Sequence, residues 1–196
     1  MRRIALCLMM SLAVALPAAA AEQPAGSPDG ISRLSELTAQ YTKLYLAKSY
    51  KEATAAATEA LAVAEKTLGP EHEKVAQVLN DLGHLYKMQQ DLARAQSLHE
   101  RALQIRRKVY HDDGPAVEQS LHQLAGIYAA QGRYPQAQEA YEQSLALLER
   151  NFSPNDPILL SVLRPYEAVL EASGQTEMAQ SVKARIFVLQ ANNPKP

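Results

Sequence analysis

Histidine and carboxylate side chains are the groups of this sequence that could do chemistry. His72 and His99 are each followed by glutamate, but "HEKVA" and "HERAL" lack the second histidine of the H-E-x-x-H zinc motif. The run "HDD" at 111–113 could touch a metal ion, yet it lies where a polar connector is predicted. His84 and His122 could face each other, but two histidines without a third ligand make a poor metal site. We predict no metal site and no cofactor.

Other catalytic signatures are also absent. The sequence has no G-x-S-x-G motif, no glycine-rich phosphate loop and only eight glycines. The basic run "RRK" at 106–108 is explained by cations that complement the dipole at a helix C-terminus. Cys7, the only cysteine, follows Leu6 where a lipoprotein signal needs a small residue, so no lipid anchor is predicted. We predict that the protein is not an enzyme.

The first 21 residues have the pattern of a signal peptide. "MRR" is followed by the 13-residue uncharged run "IALCLMMSLAVAL" and by the small residues of "PAAAA". The apolar run is shorter than the roughly 20 residues that span a bilayer. We predict cleavage after Ala21, with Ala20 as the near alternative, and a mature chain without a stable membrane anchor. Export to the periplasm is the preferred prediction, with secretion as the alternative.

Composition is that of an ordinary globular domain. With 47% hydrophobic and 21% charged residues, the chain can bury a core. The 20 Lys and Arg residues against 21 Asp and Glu residues leave a net charge of -1, which becomes -3 once Arg2 and Arg3 leave with the signal peptide. This charge gives no field that would hold a nucleic acid, so no nucleic-acid partner is predicted. Residues 22–30, "EQPAGSPDG", are predicted to be a flexible linker.

The elements that position the polar side chains follow from an internal repeat. Residues 79–103 read "LNDLGHLYKMQQDLARAQSLHERAL" and residues 121–145 read "LHQLAGIYAAQGRYPQAQEAYEQSL", at an offset of 42. The same offset extends the frame forwards to Leu163 and backwards to Leu37. Four units therefore share one frame, and a fixed period of this length is typical of repeat architectures.

Each unit is predicted to be a helix, a tight turn and a second helix. Leu79, Leu82 and Tyr86 lie at i, i+3 and i+7, which is one face of a helix. A breaker follows each first helix: "KSY" at 48–50, "QQD" at 89–91, "QGRYP" at 131–135 and "SGQ" at 173–175. Pro165 falls inside the first helix of the fourth unit and is predicted to kink it, as a distortion of a terminal repeat.

Capping residues support these boundaries. Ser49 and Glu52 have the spacing of a capping box, and Asp91 stands before the second helix of the second unit. Gly132 and Gly174 lie where a left-handed residue commonly ends a helix.

The order Leu, Leu, Gly or Ala, Tyr, Ala and then a bulky residue resembles the tetratricopeptide repeat. It occurs as Leu79, Leu82, Gly83, Tyr86, Ala95, His99, Ala102 and as Leu121, Leu124, Ala125, Tyr128, Ala137, Tyr141, Ser144. With the 42-residue period and "LGPEHEKVAQVLNDLGHLY", the chain is similar to the kinesin-light-chain-like subclass, as a bacterial exported member. The resemblance implies an all-α, right-handed α-solenoid over residues 31–191. Its four units lie at about 31–68, 73–110, 115–152 and 157–191, before a disordered tail at 192–196.

The same resemblance implies a binding function. In the family, a polar face of the first helices lines a concave groove that holds a peptide or a partner helix. Applied to this sequence, the resemblance predicts five groove residues: Asn80, His84, Lys87, His122 and Arg164. A somewhat positive floor would favour an acidic segment or a C-terminal carboxylate, although the repeated Lys and Asn set that clamps such a carboxylate is missing.

We therefore predict a scaffold or adaptor that binds a protein or peptide. The alternative is a structural subunit of a cell-envelope assembly that docks through its ends or its convex face. The oligomeric state is left open.

Overall fold

A computed structural model of the chain describes residues 27–193, which form eight α-helices without a strand. The helices are α1 Pro28–Leu46, α2 Tyr50–Leu68, α3 Glu73–Met88, α4 Leu92–Tyr110, α5 Pro115–Ala130, α6 Tyr134–Asn151, α7 Leu160–Ala172 and α8 Thr176–Asn192. Short 3-10 turns at His111–Asp113 and Pro157–Leu159 precede α5 and α7. Within residues 27–193, no helix is long and apolar enough to cross a membrane. The predicted signal peptide lies outside this range.

The first helix begins earlier than the sequence indicated. Residues 22–30 are predicted to be a linker, but α1 starts at Pro28. Its first turn is built from Pro28 at the first helical position and from the Ser27 side chain, which accepts a hydrogen bond from Gly30 N at 3.2 Å. Proline and glycine here belong to a helix N-terminus, where proline's fixed φ suits the first turn. Residues 22–26 lie outside the described part of the chain.

The turn inside each unit uses one left-handed residue at the same repeat position. The four residues are Lys48, Gln90, Gly132 and Gly174, with φ of 59°, 65°, 72° and 77°. The conformation expected at the two glycines is present, and the first two units reach it with residues that carry a Cβ.

The caps of the second helices differ from one unit to the next. Asp91 accepts a hydrogen bond from Arg94 N at 3.0 Å, as its position predicted. Ser49 is the N-cap of α2, but its hydroxyl makes no capping hydrogen bond, so the predicted box with Glu52 is wrong. The N-cap backbone has similar ψ at the two residues, 65° at Ser49 and 74° at Asp91, so the backbone angle does not account for the difference.

Small residues let the two helices of a unit approach closely. Ala53, Ala95 and Ala137 are fully buried at the start of the second helices, at one repeat position. On α3, a Cβ added to Gly83 would lie only 2.7 Å from His99 Nε2 of α4, so the histidine ring occupies the space that the missing side chain leaves. His99 is 1% exposed. The glycine is thus required by a close approach.

Successive units lie side by side in two rows, one of first helices and one of second helices. Helices contact mainly their neighbours along the chain. Two equivalent glutamines tie the second unit to the first and the third unit to the second: Gln89 Nε2 donates to Thr54 Oγ1 at 2.7 Å, and Gln131 Nε2 donates to Gln96 Oε1 at 3.0 Å. Each glutamine ends a first helix and reaches the second helix of the preceding unit.

The fourth unit departs from the others at both of its helices. Helix α7 runs as one helix through Pro165 and starts from a 3-10 turn. Helix α8 exposes large apolar side chains: Phe187 is 72% exposed and Val188 is 51% exposed. At the position of Phe187 in earlier units, Leu103 is 8% exposed. That difference marks the outer face of α8 as one without a following helix in residues 27–193.

Candidate partner-binding groove

A cavity opens between the first helices of units one and two. Its volume is about 240 Å³. It is lined by Tyr41, Thr42 and Tyr45 of α1 and by Asp81, His84 and Leu85 of α3. Of the five residues selected from the sequence, His84 alone belongs to it.

Hydrogen bonds across the cavity join α1 to α3. Tyr41 Oη donates to Asp81 Oδ2 at 2.6 Å. Tyr45 Oη lies 3.0 Å from His84 Nε2, with the two ring centroids 5.5 Å apart. Asp81 and His84 are one helical turn apart on α3, so both face the same neighbouring helix. The polar wall of the cavity is therefore held in a fixed geometry.

Asn80 is engaged in a polar network between helices. Its amide lies between His99 Nδ1 and the Arg106 guanidinium, so the nitrogen donates to His99 Nδ1 at 2.8 Å and the oxygen faces Arg106. Arg106 is 4% exposed. It donates to Ser120 Oγ at 2.9 Å and pairs with Glu73 at 3.3 Å. The hydrogen-bonding groups of Asn80 are thus engaged by α4, and the residue also lines a separate opening between α3 and α5.

The remaining selected residues lie apart from this cavity. Lys87 reaches towards α5, because a Cβ added to Gly126 would be 3.5 Å from its Nζ. His122 packs edge-on against Tyr141 of α6, with the centroids 5.8 Å apart. Arg164 lies exposed on α7. Since His84 and His122 contact different neighbours, they do not form a pair, and within residues 27–193 no three metal-ligating side chains converge.

Burial decides the charge of the cavity. It lowers the pKa of His84, and the positive charge of Lys87 acts in the same direction. It also lowers the pKa of His122. Both imidazoles are therefore neutral at pH 7, so the positive floor that the sequence suggested does not include them. Burial raises the pKa of the Asp81 carboxyl, against the effect of the hydrogen bond from Tyr41.

One edge of the row of first helices carries apolar side chains. The last residue of every first helix is apolar and exposed, namely Leu46, Met88, Ala130 and Ala172. Leu46 is 74% exposed and Met88 is 39% exposed. Equivalent positions of stacked repeats follow one another along the solenoid, so these side chains form a line across all four units.

The model of the tetratricopeptide repeat family matches residues 44–108 and 116–185, more than half of the chain. The chain belongs to the tetratricopeptide repeat family. No curated protein matches this tetratricopeptide repeat protein.

Solved structures show the same fold. BtubC (BKLC) from P. vanneervenii aligns with a TM-score of 0.75 at 20% identity, over 83% of this chain and 66% of that one. A repeat protein of the kinesin-light-chain type from Podosopora anserina, with nearly identical TPR-like repeats, gives 0.75 at 24% identity, over 84% and 78%. The apo form of RapI gives 0.73 at 13% identity, over 85% and 45%. The α-solenoid predicted from the sequence is confirmed.

The sequence reading missed Asp81 and Tyr41 as cavity residues. The polar stripe drawn through Gln77, Asn80 and His84 omits Asp81, although Asp81 lies four residues after Gln77 and three before His84 and so shares a helix face with both. Tyr41 stands where a repeat prefers a small residue. These two features are the signals in the sequence for an opening at this boundary.

Proposed function

We propose that the protein is an exported scaffold or adaptor that holds a peptide or a partner helix against its row of first helices. The observation that carries the proposal is the cavity between α1 and α3, whose polar groups are already fixed by hydrogen bonds. Preformed sites bind with a smaller loss of conformational entropy. The exposed apolar line from Leu46 to Ala172 would add contact area along the same row.

Nothing in the site supports chemistry on a substrate. Its titratable groups are hydrogen-bonded to phenols, and the family offers binding as the common role of this fold. We therefore propose a role without catalysis.

In-cell photocrosslinking tests the groove. A photoreactive amino acid at Met88 or Arg164, both exposed on first helices, is expected to capture a partner. Gln104 and Ala146, exposed on the second helices, serve as matched positions. The adduct is expected in the periplasmic fraction, with Glu22 as the first residue of the mature chain. Capture from the second helices alone would exclude the groove.

A blocking variant sharpens this test. Thr42→Arg places a long side chain in the cavity, and it is expected to abolish capture from Met88. Thr58→Arg is the control, because both threonines are exposed on helices and both hydroxyls bond to the carbonyl four residues earlier, at 2.7 Å. Equal loss with both variants would point to general damage and would count against a groove partner.

A second candidate function rests on α8. Its exposed Phe187, Val188 and Met178 would suit docking of the solenoid end into an envelope assembly. A photoreactive residue at Phe187 separates the two proposals, because only end docking gives an adduct there.

A further inference from the structure

The cavity between α1 and α3 contains one acidic group whose second oxygen is unused. Asp81 Oδ2 accepts the hydrogen bond from Tyr41. Within residues 27–193, no side chain or backbone group bonds to Oδ1 of Asp81, and this atom is not among the polar atoms enclosed without a partner. Asp81 lines this cavity and also a second opening between α3 and α5, and its Oδ1 is a carboxylate oxygen that can still accept hydrogen bonds.

No cation of the described chain neutralises this carboxylate by contact. Within residues 27–193, no Lys, Arg or His nitrogen lies within 4.0 Å of it as a salt-bridge partner. Arg106 is committed to Glu73 and Ser120. Lys87 extends towards Gly126 of the next unit.

The other walls suit a cation. Two phenol rings, those of Tyr41 and Tyr45, line the same cavity as Asp81. Aromatic faces attract the ammonium group of lysine and, more often, the planar guanidinium of arginine. His84, with its lowered pKa, adds no positive charge at neutral pH.

The size of the cavity indicates one side chain. Its volume of about 240 Å³ is below the roughly 300–1,000 Å³ of sites that enclose a whole small molecule. We propose that the cavity of Tyr41, Tyr45 and Asp81 receives one basic side chain, arginine or lysine, from the segment bound in the groove. The inference rests on the proposed groove function and reverses the acidic preference drawn from the sequence.

NMR titration of the ¹⁵N-labelled protein tests the cavity without knowledge of the partner. N-acetyl-arginine methylamide is expected to shift the amide signals of residues 41–45 and 81–85 in a saturable way. N-acetyl-glutamate methylamide is expected to leave them unchanged. Asp81→Asn, which keeps an acceptor for Tyr41, is expected to weaken arginine binding by about tenfold, as loss of a charged hydrogen-bond partner does.

A charge-matched control separates local from general effects. Asp113→Asn removes the same charge from an exposed connector and is expected to leave arginine binding unchanged. Equal binding of the arginine and glutamate probes, or equal weakening by both variants, would overturn the inference.

Selection of phage-displayed random peptides distinguishes the inference from the function on which it rests. Peptides that bind the wild-type protein but not the Thr42→Arg variant occupy the groove. If these peptides carry a basic residue, and if Asp81→Asn removes the preference for that residue, both the inference and the proposed function are supported. Groove-bound peptides without a basic residue would overturn the inference and keep the proposed function. A saturable NMR response to the arginine probe with no peptide selected would support a cation site in the cavity and contradict the proposed peptide-binding function.

Discussion

Arg106 and His99 are two buried polar residues that are linked through the side-chain amide of Asn80. Both are buried, at 4% and 1% exposure. Arg106 satisfies its charge through Glu73, Ser120 and Asn80, which belong to α3 and α5. A buried charge is tolerated when it is paired and hydrogen-bonded, and losing one partner strands the other. This network fixes the second unit against the third by directional bonds.

His99 makes stability depend on pH. Burial lowers its pKa to about 4 in the folded protein, and His84 once protonated, Lys87 and Arg106 act electrostatically in the same direction. The unfolded chain has a value near 6.5, so between pH 6.5 and 4 the unfolded state binds more protons. Stability is therefore expected to fall as the pH drops through this window, by about 2–3 kcal/mol from this group. Urea unfolding at pH 7, 6, 5 and 4 measures it.

The variant His99→Phe serves as the control for that titration. It places an aromatic residue where the third unit has Tyr141, and it removes the titrating group. The free energy of unfolding is expected to depend less steeply on pH, with the remaining slope from His84 and His122 opposed by Asp81. An unchanged slope would show that the pKa of His99 is the same in the folded and unfolded states.

Residue-level prediction from the sequence succeeded only in part. Periodicity placed Asn80 on a polar stripe of α3, and that position is correct. It could not show that Arg106, 26 residues later, would turn inward and take the amide of Asn80. The spacing of residues along one helix does not indicate which of them hydrogen-bond to a buried polar residue of another helix.

At the scale of the elements, the turn inside each unit depends on one left-handed residue. Gly132 and Gly174 adopt this conformation without a side-chain clash, whereas Lys48 and Gln90 hold it at φ of 59° and 65°. For residues with a Cβ, the left-handed region costs roughly 1–2 kcal/mol. The first two units therefore carry strain at their turns.

Glycine substitutions test this strain. Gln90→Gly is expected to raise the free energy of unfolding by about 1 kcal/mol, because it removes the steric cost of the left-handed region. Gly132→Ala is the reciprocal control and is expected to lower it by about 1 kcal/mol. A Cβ at Gly132 would meet no atom within 4 Å, so the backbone alone accounts for the effect. Denaturant titration measures both, and a destabilising Gln90→Gly would contradict the assignment.

Element boundaries were the most predictable part of the fold. Breaker residues in every unit indicated the turns, and helices end or begin at each of them. The left-handed residue could be predicted only where it is glycine, because Lys48 and Gln90 carry no local signal for positive φ. The capping box at Ser49 failed because the spacing of Ser49 and Glu52 does not report whether the serine hydroxyl reaches a free backbone N–H.

At the scale of the whole molecule, each unit buries its apolar face against the next one. Leu103 of α4 packs with Val117 and Leu121 of α5. Phe187 occupies the equivalent position of α8 and is 72% exposed. Repeat proteins derive much of their stability from such interfaces between neighbours. The same repeat position is therefore expected to contribute more to the free energy of unfolding inside the stack than at its end.

Truncation at these two positions measures the difference. Leu103→Ala is expected to lower the free energy of unfolding by about 2–4 kcal/mol, because it removes buried contacts and leaves a cavity. Phe187→Ala is expected to change it by less than about 0.5 kcal/mol in the isolated protein. Urea unfolding compares the two variants directly. A large loss at Phe187 would show that another surface covers it in the isolated protein, and it would count against docking through an exposed α8.

The overall architecture could be predicted because the same spacing of apolar and small residues recurs in each unit with a period of 42 residues. The cavity could not, because it arises from Tyr41 and Asp81, which belong to different units and stand outside the repeated pattern. The residues that recur at the 42-residue period specify the solenoid, and residues that differ between units form the cavity.

The restriction of contacts to neighbouring helices has a mechanical consequence. A tension applied to the two ends of the solenoid passes through every unit boundary in series, as in a spring. Apolar faces can slide under such a load, whereas the bonds of Arg106 to α3 and α5 resist shear in specific directions. Within residues 27–193, the boundary between the second and third units is the one whose polar links include a buried charge, so opening it under load also separates Ser120 from Arg106.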